Sequence, residues 1–282
     1  MRVAILGDGL VARSVAEAIA DKAEVTVFGH GDLDVTAPVT LAVLDDYDVA
    51  VNTVAFHRFD ACEADPAQAQ RVNTLGARYV AETLPTIYIS TDYVFNDDGP
   101  HDEVLPGERP RSVYGQTKLG GELETLEAGG IVVRIAAPFG HYQSHKGPTL
   151  PERVLHTIGG TLRLPTDQTF TPTYMPDAAR RIVALALYAE GLRHDSRRIY
   201  HATNAGSATW AQLGQATLEV AAFKPCKIEG FAAKDPKRPR NSALRSTILP
   251  PIRHWRIALE EWAIRDQRER EAAAVSPLRA TA

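Results

Sequence analysis

The sequence predicts an α/β protein: a doubly wound parallel sheet of the Rossmann type with a smaller C-terminal substrate-binding lobe. Three observations carry that expectation. A short apolar run at residues 3–6 ends in the glycine turn Gly7-Asp8-Gly9-Leu10-Val11-Ala12, and a helical pattern follows through Val15, Ala18 and Ile19. Strand, glycine turn and helix in that order form the context of a dinucleotide-binding turn. Short apolar runs then alternate with amphipathic stretches, which is how crossover helices build a parallel sheet. Finally, Tyr114 and Lys118 stand four positions apart, a spacing that puts a phenol and an ammonium on one helix face.

The first turn reads in detail as follows. Its glycines let the backbone bend tightly and approach a pyrophosphate, which would sit on the helix N-terminus. Residues 24–28 read as the second strand. An acidic residue at its end would hold an adenine ribose and favour NAD; here the chain has Phe28-Gly29-His30. The missing carboxylate, with Arg13 or His30 to face a 2′-phosphate, tilts the reading to NADPH, with NADH as the second option. Thr36 and Pro38 suit the start of a helix as N-cap and first-turn proline. Residues 48–54 form the next buried strand, and small residues after it leave room for a cofactor. A long helix follows from Asp65-Pro66. Residues 86–90 are the fourth strand, running into Thr91-Asp92.

A hydroxyl at that strand tip either bonds a substrate carbonyl or caps a turn. Residues 96–111 are polar and rich in proline and glycine, and read as a flap over the site or as a surface loop. In the helix after them, an ammonium beside the Tyr114 phenol would lower the phenol pKa toward neutrality. A phenol so tuned exchanges a proton with a carbonyl or an alcohol. Beyond residue 140 the alternation loosens. Helices are expected at residues 148–158, 176–189, 209–221 and 251–268, with Thr209 as a cap. Ile252, Trp255, Leu259 and Trp262 recur at helical spacing and read as core. The organisation expected is residues 1–140 as the dinucleotide-binding core, 141–271 mainly as the substrate lobe with segments returning to the core, and 272–282 as a flexible tail.

Composition narrows the function class. The 282 residues are 44% apolar and 23% charged, with 31 basic against 35 acidic side chains. A net charge of −4 gives no case for nucleic acid or an anionic membrane as partner. The two cysteines, Cys62 and Cys226, form neither a disulfide framework nor a metal-ligand spacing. A reducing, cytoplasmic setting and no metal are therefore expected. The opening residues show no signal-peptide pattern, and the longest apolar run, about residues 182–189, is too short for a membrane span.

Several stretches together resemble the extended short-chain dehydrogenase/reductases, and within them the dTDP-4-dehydrorhamnose reductase family. They are the glycine turn, Asp60-Ala61-Cys62-Glu63 with Val72-Asn73, Ser90-Thr91-Asp92-Tyr93-Val94-Phe95, the Tyr114-to-Lys118 segment, Asp167-Gln168 with Pro172-Thr173, and Arg238-Pro239-Arg240-Asn241-Ser242-Ala243-Leu244. The resemblance implies NADPH-dependent reduction of the 4-keto group of a dTDP-linked keto sugar. It implies that Tyr114 donates the proton, that Lys118 lowers its pKa and holds the nicotinamide ribose, and that Thr91 bonds the ketone oxygen. Gly7, Gly9, Leu10 and Val11 would bind the pyrophosphate, Asp34 and Val35 would lie by the adenine, and Val54, Ala55 and Phe56 by the nicotinamide. Asp92, Arg238, Asn241 and Ser242 would face the nucleotide sugar.

The chain also departs from the family pattern. The glycine turn is one residue tighter than usual and ends in Ala12, Thr53-Val54 replaces Ala-Ala, Ala136-Ala137-Pro138-Phe139 lacks an aromatic contact, and Phe170 replaces a glycine. These changes touch the walls and spare Thr91, Tyr114 and Lys118. Two alternatives stand beside the reductase. One is an epimerase or dehydratase of the same superfamily. The other is a non-catalytic regulatory subunit, as the beta subunit of methionine adenosyltransferase is in a similar family. A monomer and a homodimer both remain open.

Overall fold

Six strands pair side by side, all parallel, in the computed structural model. It describes residues 1–96, 98–145, 147–192, 198–221 and 223–279. The strands are β1 (Arg2–Leu6), β2 (Glu24–Phe28), β3 (Val49–Asn52), β4 (Thr86–Thr91), β5 (Ile131–Ile135) and β6 (Ile199–His201), in spatial order β6-β5-β4-β3-β1-β2. Apolar, β-branched runs form them because both faces are covered. Val3 and Ile5 pack into one face and Ala4 and Leu6 into the other, as a two-residue period demands.

Helices Leu10–Ile19 and Met175–Leu187 cover the first face. Helices Gly76–Thr83 and Val113–Glu127 lie on the second, where Ala77 packs with Tyr88 and Val132. The chain leaves β1 for β2 at one edge, then returns past β1 to β3. The strand order therefore reverses between β1 and β3, and open α/β sheets bind ligands beyond the strand ends at such a point. Two segments from beyond residue 141, the helix Met175–Leu187 and β6, complete this sheet and its cover.

A second apolar cluster gathers Phe139, Leu150, Phe170, Leu213, Leu259 and Trp262 over the same end of the sheet. Trp262 donates its indole N–H to the Gly140 carbonyl at 3.0 Å and so pins the final helix to the end of the core. Thr209 caps helix Trp210–Val220 in a capping box with Gln212.

Two local expectations fail for physical reasons, and one strand pair goes unannounced. Thr36 caps nothing: it donates to Asp34 Oδ1 at 2.8 Å, and Pro38 opens a 3-10 helix, Pro38–Asp46, after Ala37. Strands Thr161–Pro165 and Lys227–Phe231 pair in parallel, although the second has too few apolar residues to announce itself. Ile252 belongs to a short strand, Ile252–His254, and the helix starts only at Trp255. That helix runs to Arg279, and residues 280–282 of the expected tail lie outside the described residues.

Candidate active site

β1 delivers the glycine turn to the reversal point. Gly7 takes φ +104°, a left-handed conformation that favours glycine, and a Cβ there would overlap the Thr53 hydroxyl. Thr53 earns that place by donating from Oγ1 to the Leu6 carbonyl at 2.7 Å. Gly9 opens the helix Leu10–Ile19 without a side-chain cap, so its first N–H groups keep their anion-binding capacity. The side chains of Leu10 and Val11 turn into the core, which leaves backbone, not side chain, to meet a pyrophosphate. The His145 ring lies against Gly9, and its Nε2 is 2.7 Å from Asp8 Oδ1. Arg13 donates from Nε to the Asp8 carbonyl at 2.8 Å, at the same turn.

The end of β2 differs from its sequence reading. The Asp32 carboxylate accepts from the Gly29 N–H at 2.8 Å, and Asp8 Oδ2 stands beside the same glycine. Two carboxylates thus stand beside the end of β2, one from the glycine turn and one folded back from the following loop. Asp34 is exposed and accepts from Thr36 N and Oγ1, which hold its carboxyl below the usual range. Val35 is buried against Gly76, so its side chain serves packing. Val54, Ala55 and Phe56 lie half-buried beyond β3. Asn73 fixes that stretch: its Oδ1 accepts from Phe56 N at 2.7 Å, and its Nδ2 donates to the Phe56 carbonyl and to Thr117 Oγ1, both at 3.0 Å. Asn73 sits in a π-helical turn, Arg71–Leu75, a distortion common at functional sites.

Tyr114 lies in the first turn of the helix Val113–Glu127. Ser112 caps that helix by accepting from Gly115 N at 3.0 Å. A Cβ on Gly115 would overlap the Tyr93 carbonyl oxygen. Only glycine lets the helix approach the segment after β4 this closely, and the approach brings the Tyr114 phenol into hydrogen bonding with the Thr91 hydroxyl. Burial pushes the Tyr114 pKa well above its ordinary value, and the Thr91 hydrogen bond only partly opposes it. The net shift is thus upward, opposite in sign to the lowering expected from Lys118. Lys118 is buried, donates to the Ile89 carbonyl at 2.8 Å and lies 3.9 Å from the Tyr88 ring centroid. Those partners engage the ammonium.

Thr91 does two things at once. Its Oγ1 accepts from Tyr93 N at 3.2 Å, capping a 3-10 turn, and donates to Asp92 Oδ1 at 3.0 Å. Ser242 donates to Asp92 Oδ2 at 2.5 Å. Arg238 bonds the Tyr93 hydroxyl at 3.0 Å and lies 4.1 Å from the Phe59 ring centroid. Tyr93 in turn stands edge-on to Tyr114, 5.9 Å between centroids. Asn241 is turned elsewhere: its Nδ2 donates to the Gly99 carbonyl at 2.8 Å. That bond helps anchor the loop at residues 98–103, along with Asp102–Arg245 and Glu103–Thr247. The loop is thus fastened to residues 241–247; Asp97 lies outside the described residues.

Thus Thr91, Tyr114, Asp92, Ser242 and Arg238 converge on one end of the sheet. Residues 1–267 match the family described as RmlD substrate binding domain. The chain belongs to that family. Among its RmlD relatives, the probable dTDP-4,6-dihydroxy-2-methyloxan-3-one 4-ketoreductase of Streptomyces antibioticus is 36% identical over 277 residues, covering 90% of this chain and 91% of that protein. The dTDP-4-dehydrorhamnose reductase of Streptomyces griseus is 36% identical over 263 residues, covering 85% and 84%. The fold matches the solved dTDP-4-dehydrorhamnose reductase of Bacillus anthracis, a complex with NADP, at a TM-score of 0.83 and 23% identity, covering 94% of this chain and 99% of that one. Against this RmlD background, sequence reasoning gave Asp32 and Tyr93 no part in the site. Asp32 gave no signal, because a loop carboxylate four positions past a strand has no fixed direction. Tyr93 lies inside the segment Ser90-Thr91-Asp92-Tyr93-Val94-Phe95, where the resemblance gives it no role of its own.

Proposed function

We propose that the chain reduces the 4-keto group of a dTDP-4-keto-6-deoxyhexose with NADPH. The observation that carries this reading is the Thr91–Tyr114 hydrogen bond at the carboxyl end of the sheet, across the cleft from a glycine turn. A ketone oxygen placed between these two hydroxyls would receive both O–H protons once Thr91 turns from Asp92 and Tyr114 turns from Thr91. NADPH suits the residues present: Gly7 takes the left-handed turn that brings β1 into the helix Leu10–Ile19, that helix starts without a side-chain cap, and Arg13 lies at its first turn. When bound, the cofactor supplies a hydride. Tyr114, kept protonated by burial, gives its proton to the ketone oxygen while Thr91 holds that oxygen. Lys118, poised beneath Tyr88, would hold the ribose hydroxyls and assist the phenol. Asp92, oriented by Ser242, would accept from a sugar hydroxyl, and Arg238 would meet the diphosphate in bidentate fashion. Asn241 supports the wall through Gly99. NADH is the second donor, favoured by Asp32 at the end of β2.

The test is NADPH oxidation by the purified protein with dTDP-4-keto-6-deoxyglucose and its 3,5-epimerised form, and identification of the sugar product. Stoichiometric NADP+ and a C4 alcohol are expected. Absence of turnover on both, with bound NAD retained through dialysis, would move the chain to the epimerase and dehydratase class.

A further inference from the structure

Glu63 lies outside the roles assigned so far, and its two carboxylate oxygens face different parts of the molecule. Oε1 accepts from the backbone N–H of Val113 at 2.8 Å. Val113 is the first residue of the helix that carries Tyr114. Oε2 accepts from Lys237 Nζ at 2.6 Å. Lys237 belongs to the loop that also carries Arg238, and it lies 174 positions away from Glu63. One carboxylate therefore joins the start of the Tyr114 helix to the loop that would meet the nucleotide diphosphate.

The local sequence explains why that carboxylate must come from elsewhere. A helix start is commonly served by an acidic residue in its own first turn. This helix has none there. Its third position is Gly115, where any side chain would strike Tyr93. Glu63, from the short helix Phe59–Ala64, supplies the missing group. The Lys237 ammonium holds the Glu63 carboxyl below its ordinary range, so the group is an anion at neutral pH. The side chains are 20% and 53% exposed, and a pair that wet contributes little to stability. What it offers is placement. Beside it, Arg238 of the same loop reaches Tyr93, whose ring abuts Tyr114.

We propose that Glu63 is a positioning residue: through Lys237 it couples the seating of the 234–240 loop on the nucleotide sugar to the placement of Tyr114. This rests on the reductase reading above. The experiment uses the full chain, NADPH and dTDP-4-keto-6-deoxyglucose, with Glu63→Gln, Lys237→Met, Lys237→Arg and the double variant Glu63→Gln/Lys237→Met. Gln keeps an oxygen for Val113 N–H and loses the charge; Met removes the ammonium and leaves Glu63 on Val113. Each single variant should lose about tenfold in kcat/KM for the sugar, the scale of one charged hydrogen bond. The double variant should lose no more than either single one, Lys237→Arg should recover most of the loss, and NADPH affinity should stay within about twofold. Full activity in Lys237→Met, or a double variant whose loss is the product of the two singles, would overturn the coupling. A wild-type protein that turns over neither dTDP-4-keto-6-deoxyglucose nor its 3,5-epimerised form would instead remove the reductase reading itself.

Discussion

Ser242 donates its hydroxyl to Asp92 Oδ2 at 2.5 Å, and Asp92 Oδ1 accepts from Thr91. The acid is thus held from both sides, once by its neighbour and once by a residue 150 positions away. Ser242→Ala should release one side. We expect KM for the nucleotide sugar to rise about tenfold, as for one hydrogen bond to a charged group, with NADPH affinity unchanged. Steady-state kinetics in each substrate checks this.

Tyr114→Phe should lower kcat about a hundredfold or more, the range of general-acid catalysis, and leave NADPH binding intact. Lys118→Met, nearly isosteric, should damage both turnover and cofactor affinity. Because burial raises the phenol pKa, the proton donor stays loaded through neutral pH. The reduction rate should therefore show no falling limb from Tyr114 between about pH 6 and 9. Wild-type turnover in Tyr114→Phe would remove the proton-donor role.

Gly115→Ala places a methyl group against the Tyr93 carbonyl and Pro110. The helix must shift by about 1 Å, and Tyr114 moves with it. The expected cost is about 1–3 kcal/mol of stability and about a hundredfold in kcat. Thermal unfolding and turnover, measured together, separate the two losses.

Asp32→Ala removes a carboxylate from the end of β2. The ratio of kcat/KM for NADPH over NADH should rise about fivefold, since a like charge near a 2′-phosphate is gone. The effect should shrink at high salt.

His201 gives a pH signature of stability. Its Nδ1 donates to the Arg245 carbonyl at 3.0 Å, and its buried Nε2 has no partner among the described residues. Burial, and Arg134 nearby, depress its pKa to about 4, against opposition from Glu103 and Asp102. The folded pKa lies below the unfolded value of about 6.5, so the unfolded chain binds the proton first. Stability is full above about pH 6.5 and falls as pH drops toward 4. Urea unfolding at pH 7, 5.5 and 4.5 should show this fall in the wild type and a shallower one in His201→Gln.

Much of this was legible beforehand. β1 with its glycine turn, β4 with Thr91-Asp92, and the Tyr114–Lys118 helix follow from apolar runs that end in special residues. Those are local facts, written within a dozen positions. What stayed hidden is non-local. Nothing near Lys118 announces the Ile89 carbonyl and Tyr88 ring that meet its ammonium, and nothing near Tyr114 announces the burial that raises its pKa. Asp32 and Asn241 likewise spend their polar groups on backbone far away in sequence or folded back from a loop. Strand Lys227–Phe231 is mostly exposed, and hydrophobic period is silent where burial is slight.

The clasp on Asp92 spans 150 positions. On the ribosome, the sheet from β1 to β5 is synthesised long before Ser242 emerges. A nascent chain therefore carries its Thr91, Tyr114 and Lys118 in a half-built pocket until translation nears its end. Truncations before residue 242 should yield products that retain much of the β-sheet and lack the competent centre.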